Sequence, residues 1–398
     1  MASSSSPPSQ PPLSVTLVGC GQIVTHHLEA MMKLNYSSSI TFQIHALCDP
    51  SVERRQVIRQ QWNNNDNDDM SEYNTMTELF NSSSKQVDII FIAVPHDLHE
   101  SLALEALQHT EKTMVVMEKP LAPTYAACQR LLEASSRYGN RLYIAEQSPY
   151  WPAVALAKQM VADGKIGTLL SASSYYYESM RDNITSGSTS ETGGLGWRGS
   201  LQRAGGGIAM DGGLHWIRPL REVCGGRITK VCGVIRPNLA PQLEMEGEAL
   251  GHALLEIDTT SDSSSPYRQP DRSGPLIATY SCHMLATAPM AHDACPYFRF
   301  TGTEGELIIL GTGLQNTTPG AGDLKWYHDS CPQGQSMLEQ TVGGFFLGFQ
   351  GLWQEIYRTI ESGNGEAAHE SVVRAADDVK VVLGLYQSHE TRTWQDTN

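Results

Sequence analysis

The stretch AGGGIAMDGGLHW, residues 204 to 216, sets Asp211 and His215 four residues apart among five glycines. On a helix that spacing puts both side chains on one face. An imidazole with an ordinary pKa of about 6.5 trades a proton near neutral pH, and a carboxylate one turn away can orient it or a substrate hydroxyl. Asp and His are also metal ligands, but two ligands make thin support for a metal site, and none is assigned. A phosphate-cradling loop is disfavoured because no apolar strand leads directly into AGGG. A helix-borne pair fits best, with Ile208, Leu214, Ile217, Leu220 and Val223 facing a core.

A second candidate opens the chain. LSVTLVGCGQIVTHH is a strand, a GxGxxx turn and a helix: Gly19 permits the tight turn, Gly21 lets a pyrophosphate approach, and the helix N-terminus offers unpaired N–H groups. Gln22 and Ile23 complete the cofactor-facing turn, while Val24 stands where a third small residue is usual. The next strand ends in Asp49, placed to accept hydrogen bonds from ribose hydroxyls and to repel a 2′-phosphate; NAD is therefore favoured over NADP. Arg54 and Arg55 weaken that preference, and an N-cap before Pro50 is the plain structural role for the same Asp.

Two further strand ends carry polar groups. VPHDLH (94 to 99) supplies Val94, Pro95 and His99, and EKP (118 to 120) supplies Glu118 and Lys119, all expected beside the cofactor. Lys119 can stabilise a developing alkoxide. A solvated surface lysine is its structural alternative.

These residues need a scaffold. Apolar runs at 13 to 18, 42 to 49, 87 to 94, 113 to 118 and 141 to 146 read as strands, with amphipathic helices at 98 to 109 and 123 to 138 among them. Alternation of this kind predicts an α/β fold with a doubly wound parallel sheet. After about residue 150 a helix (153 to 163) leads into strands near 169, 228 to 236, 252 to 258, 276 to 284, 297 to 302 and 305 to 310, then helices at 344 to 361 and 367 to 388. That order predicts an α+β domain with a large, mostly antiparallel open sheet. The expected division is a disordered tail at 1 to 12, a nucleotide-binding domain at 13 to 147 and a second domain at 148 to 398 whose terminal helices can pack back on the first. NNNDNDD (63 to 69) and the segment 261 to 274 read as loops.

Composition narrows the partners. Lys and Arg total 28 against 43 Asp and Glu, a net charge of −15, which disfavours nucleic acid and anionic membrane. The longest apolar runs fall far short of a spanning helix. Eight scattered cysteines without a CxxC pair and an N-terminus unlike a signal or transit peptide predict a cytoplasmic protein with reduced thiols.

Together the motifs GCGQIVTHH, ALCDP, AVPHDLH, MEKPLA, WRGSLQRAGGGIAMDGGLH and GTEGEL resemble the Gfo/Idh/MocA superfamily, the glucose-fructose oxidoreductase and inositol dehydrogenase group, over nearly the whole chain. The resemblance implies a Rossmann domain, NAD or NADP as cofactor, and a second sheet that mediates homodimer or homotetramer contacts. It implies Lys119, Asp211 and His215 as the catalytic set, His215 moving the proton and Lys119 acting electrostatically. Trp197 and Arg198 of WRGS then fall on the substrate side. Tyr150 and Trp151 suggest an aromatic wall, and Arg218, where many members carry an acid, suggests an acidic or phosphorylated substrate. The function so implied is hydride transfer between a nicotinamide cofactor and a secondary alcohol or carbonyl of a sugar, cyclitol or related small ring. Trans-dihydrodiol dehydrogenase and anhydro-sugar reductase are alternatives in the same family. A nucleotide-binding regulator without catalysis is the alternative from another class.

Overall fold

The computed structural model describes residues 11–62, 70–82, 87–177, 195–237, 244–259, 274–284, 297–310, 323–338 and 344–397. The loop at 63 to 69 and nearly all of that at 261 to 274 lie outside them.

Strands β1 (Leu13–Val18), β2 (Phe42–Cys48), β3 (Ser71–Tyr73), β4 (Ile89–Ile92), β5 (Met114–Glu118) and β6 (Leu142–Ala145) form one sheet in the order β3-β2-β1-β4-β5-β6. Every pairing is parallel. Residues of β4, β5 and β6 are buried on both faces, as expected for a parallel sheet covered by helices. Those helices are α1 (Gln22–Ser37), α2 (Val52–Trp62), α3 (Met76–Ser82), α4 (His99–His109) and α5 (Tyr125–Arg137). Strand order reverses between β1 and β4, so the crevice where such sheets bind ligands opens at the carboxyl ends of those two strands.

Helix α6 (Pro152–Ala162) leads to the second sheet: β7 (Leu169–Tyr177), the single turn α7 (Leu201–Ala204), helix α8 (Leu214–Cys224), then β8 (Arg227–Pro237), β9 (Glu248–Asp258), β10 (Leu276–His283), β11 (Phe298–Gly302), β12 (Glu306–Leu310), β13 (Asp323–His328) and β14 (Cys331–Ser336). Helices α9 (Gly344–Ser362) and α10 (Gly365–Thr391) and a short β15 (Gln395–Asp396) close the chain. The nine strands run β14-β13-β12-β11-β7-β10-β9-β8-β15, antiparallel except for the β7–β10 pair. Burial alternates along β9 and β10, so one face packs on helices and the other stays open.

Two terminal helices join the sheets. Phe349, Leu352, Trp353 and Ile356 of α9 enter the core of the first sheet beside α1. Ser371 Oγ of α10 accepts the Ile144 N–H at 2.9 Å, satisfying an amide on edge strand β6. Among the described residues no helix is long and apolar enough to cross a membrane, and the seven described cysteines form no disulfide.

Candidate active site

At the end of β1 the chain turns through Gly19 with φ of +90°, and a Cβ there would overlap the Ala93 carbonyl oxygen. Only glycine fits. Its N–H donates to the Cys48 carbonyl at 2.8 Å, so the turn is threaded between the ends of β2 and β4. Gly21 then caps α1 with no side chain accepting from the first N–H groups, in open space and with no acidic residue in the first turn. The positive end of the helix dipole and its unpaired N–H groups are thus available to an anion. Gln22 is exposed beside them and Ile23 half-buried.

Asp49 is buried and turns both carboxylate oxygens to backbone amides, while Ser51, whose Oγ accepts the Arg54 N–H at 3.2 Å, caps α2 in its place. Asp49 Oδ2 accepts the Cys20 N–H at 2.8 Å, tying the glycine turn to β2, and Asp49 Oδ1 accepts the Ser51 N–H at 2.8 Å ahead of α2. Arg55 is buried and bonds Glu72 at 2.9 Å, Asn74 at 3.2 Å and the Asp49 carbonyl, so its guanidinium is committed within the fold. Arg54 is exposed.

Strands β5 and β6 pair Glu118 with Ala145, so the next residues, Lys119 and Glu146, leave the sheet side by side. Lys119 meets the turn before α8, and Glu146 meets the first turn of α8 itself. Lys119 Nζ donates to the Asp211 carbonyl at 2.8 Å and to Asp211 Oδ1 at 3.1 Å. Arg198 Nε reaches Asp211 Oδ2 at 2.8 Å, and its guanidinium lies 4.5 Å from the Trp197 ring centroid. Burial by itself raises the Asp211 carboxyl; Lys119, Arg198 and His96 outweigh it and hold the group well below the usual carboxylate range.

His215 Nδ1 lies 2.8 and 3.0 Å from the two oxygens of Glu146. A carboxylate accepts only, so Nδ1 carries the proton and Nε2 presents its lone pair. Burial pushes the Glu146 carboxyl up, but His215, Arg218 and the Ser148 N–H at 2.8 Å bring it down to about 2. An ionised carboxylate holding an imidazole in one tautomer is the arrangement of an oriented general base.

The profile described as an oxidoreductase family with an NAD-binding Rossmann fold, Gfo/Idh/MocA, matches residues 13–146, and the Gfo/Idh/MocA C-terminal domain matches residues 154–308. The chain belongs to the Gfo/Idh/MocA family. Inositol 2-dehydrogenase of Salmonella typhimurium LT2 is 29% identical over 166 residues, 42% of this chain and 46% of that protein. D-apiose dehydrogenase of Paraburkholderia graminis is 28% identical over 157 residues, 38% of this chain and 37% of that protein. The matches thus span about half the length of these relatives or less. An oxidoreductase domain protein from Kribbella flavida superimposes with a TM-score of 0.76 at 18% identity, covering 97% of this chain and 99% of that one. Levoglucosan dehydrogenase, in complex with NADH and levoglucosan, gives 0.72 at 16% identity over 97% of this chain and 100% of that one. At these identities the structural likeness establishes the shared fold.

Within this Gfo/Idh/MocA frame the expected residues separate. Gly19, Gly21, Asp49 and Lys119 gather along the carboxyl edge of the first sheet, with Val94 and Pro95 following β4 there. Asp211 meets Lys119 from the other domain, with Arg198 on its second carboxylate oxygen and Trp197 against Arg198. His215 partners Glu146 rather than Asp211. Asp211 lies on the turn before α8, because Gly212 and Gly213 delay the helix to Leu214.

Four assignments are corrected. His99 is fully buried, its nitrogens 2.7 Å from the Pro120 carbonyl and 3.0 Å from the Val94 carbonyl, so it clamps two strand-end loops rather than a cofactor. Trp151 is 1% exposed and packs on Trp216 and Phe345 in the core. Tyr150 turns its hydroxyl to Tyr143 at 3.1 Å, and neither ring forms a wall for substrate. Arg218 is buried with its Nε on Asp378 Oδ2 at 2.6 Å, leaving no charge for a substrate anion.

Glu118 has a structural task as well. Its Oε2 accepts the Lys119 N–H at 3.0 Å and its Oε1 accepts from His27 Nε2 at 2.7 Å, while Trp353 Nε1 donates to His27 Nδ1 at 3.0 Å. Both carboxylate oxygens are engaged inside the protein. Sequence reasoning missed Glu146 and His96. Glu146 ends the strand predicted at 141 to 146, and the rule that picked out Lys119 would have found it. His96 donates from Nδ1 to the Ala204 carbonyl at 2.9 Å, with its ring 4.5 Å from that of Trp197, and burial lowers its pKa to about 3.

Proposed function

We propose that this protein is an NAD-dependent dehydrogenase of a secondary alcohol on a sugar, cyclitol or similar small ring. The observation that carries the reading is the pairing of Glu118 with Ala145, which sets Lys119 and Glu146 abreast, one bonded to Asp211 on the turn before α8 and the other to His215 at the start of α8. An ammonium group and an oriented imidazole are thereby held at the same sheet edge.

The chain fits a dinucleotide. The obligatory glycine at 19, the open space at Gly21 and the uncapped start of α1 suit a pyrophosphate, and the Asp49 carboxylate suits ribose hydroxyls. Arg55, turned to Glu72, offers no counter-charge for a 2′-phosphate, which supports NAD over NADP. When bound, the nicotinamide supplies the hydride acceptor.

The protein's own groups do the rest. His215 Nε2 takes the hydroxyl proton, and Glu146 stabilises the imidazolium so formed. Lys119 places positive charge at the oxygen as it loses that proton, and Asp211 fixes the ammonium in place. Trp197 and Arg198, half-buried and exposed beside Asp211, offer a stacking surface and donors to a polar ring.

Lys119→Met tests this. A panel of sugars, polyols and diols, followed by absorbance of the reduced nicotinamide, should give turnover for the natural chain and a severe loss for the variant, with NADH binding by fluorescence retained in both. Binding without turnover across the panel favours a regulator instead. An active Lys119→Met protein removes the lysine from the mechanism.

The open face of the second sheet supports a homodimer. Val234, Leu254 and Ile277 are exposed on the neighbouring strands β8, β9 and β10. Light scattering of the purified chain reads the mass directly.

A further inference from the structure

The run Gly205, Gly206, Gly207 has the composition of an anion cradle, and the structure shows which anion it holds. Three successive amides converge on one residue of β9. Gly207 N–H donates to Glu248 Oε2 at 2.8 Å, Ile208 N–H to the Glu248 carbonyl at 2.9 Å, and Ala209 N–H to Glu248 Oε1 at 2.8 Å. The Tyr386 hydroxyl adds a fourth bond to Oε1 at 3.0 Å, and Glu248 is 2% exposed. Such a nest of backbone N–H groups ordinarily receives a phosphate or other anion. Here the protein's own carboxylate fills it.

The close approach explains the glycines. A Cβ on Gly206 would overlap the Tyr386 hydroxyl, and one on Gly207 would overlap the Glu248 backbone. The clamp also passes directly into the site. The Gly207 carbonyl accepts the Asp211 N–H at 3.1 Å, and the Ile208 carbonyl accepts the Gly213 N–H at 2.7 Å. Of the three residues whose amides Glu248 grips, Gly207 and Ile208 are also the two whose carbonyls set the turn carrying Asp211 and starting the His215 helix.

We propose that Glu248 is a positioning residue: by holding the 207–209 amides it sets Asp211 over Lys119 and His215 over Glu146. Its activity arm rests on the dehydrogenase reading; its backbone arm does not.

Glu248→Gln keeps the volume but leaves one oxygen where two are needed, turning an NH2 group toward a backbone N–H. Hydrogen exchange of peptides spanning 206–213 should quicken by roughly tenfold or more in this variant, with β8 to β10 unchanged. Against a turned-over substrate, kcat should fall by roughly thirtyfold or more while KM and NADH affinity stay within about threefold. Glu248→Asp, which keeps both oxygens, should recover part of kcat. Unchanged exchange in 206–213, or kcat within about threefold of the natural chain, overturns the proposal. Loss of a cooperative melt in the Gln variant also overturns it, because Glu248 would then be holding the domain and not the pair. If the natural chain turns nothing over, the dehydrogenase reading fails, and the exchange arm still decides the role of Glu248.

Discussion

Glu146 grips His215 Nδ1 with both carboxylate oxygens, at 2.8 and 3.0 Å, across an interface between two domains. The carboxylate directly follows β6 and the imidazole belongs to the first turn of α8, so the pair exists only when both sheets are in place. Glu146→Gln separates orientation from size. An amide can present its NH2 to Nδ1, favouring the tautomer with the proton on Nε2, and an Nε2–H cannot accept a hydroxyl proton. Turnover should fall on the order of 10² to 10⁴, with NADH affinity little changed. Steady-state kinetics beside a fluorescence titration check this, and full activity in the variant would assign the base elsewhere.

The proposed preference for NAD rests on Asp49, a side chain that also anchors the glycine turn. Asp49→Asn keeps an acceptor for the Cys20 amide and removes the charge that repels a 2′-phosphate. The ratio of NADH to NADPH affinity should therefore drop by roughly tenfold, about 1.4 kcal/mol. Parallel titrations with the two reduced cofactors measure it. An unchanged ratio means that selectivity is set by other groups.

The first sheet was legible because β4, β5 and β6 are nearly continuous apolar runs and β1 and β2 are mostly apolar, with β1 read to its boundaries. Strands β3 and β15, three and two residues long, carry too few residues for periodicity to show, and edge strand β14, CPQGQS, carries too few apolar ones. In the site, motif and spacing identify which residues stand at strand ends. They do not tell which way a polar side chain turns. His99 and Arg218 have the types expected of ligand-binding residues, yet each found its partner inside the protein, on a loop carbonyl or on Asp378. Glu146 and Glu248 meet their partners across 69 and about 40 positions of chain, a separation no local pattern encodes.

Trp353 ties the last third of the chain to the nucleotide helix through one hydrogen bond to His27. With His27 Nε2–H given to Glu118, Nδ1 needs a donor, and the site is fully buried. Trp353→Phe removes that donor and leaves a smaller ring in the core formed by Phe42 and Phe91. Leaving the acceptor unpaired costs about 1–3 kcal/mol, and the lost ring volume adds to it. Chemical denaturation should show a lower midpoint at unchanged slope. A midpoint equal to that of the natural chain would show that the bond contributes nothing to stability.

His96 makes stability depend on pH in a direction fixed by burial. Inside the fold its pKa is about 3, desolvation outweighing the pull of Asp211, whereas in the unfolded chain it titrates near the ordinary 6.5. Between those values the unfolded chain binds a proton that the folded chain refuses. The contribution of a neutral His96 is therefore complete above about pH 6.5 and erodes by up to about 1.4 kcal/mol per pH unit as the solution becomes more acidic. His96→Asn keeps a donor for the Ala204 carbonyl and cannot titrate. Between pH 7 and 5 the natural chain should lose about 2 kcal/mol more unfolding free energy than the variant, so the gap between them narrows as pH falls. Denaturant melts at the two pH values measure this, and parallel losses in both proteins would mean that His96 titrates normally in the fold.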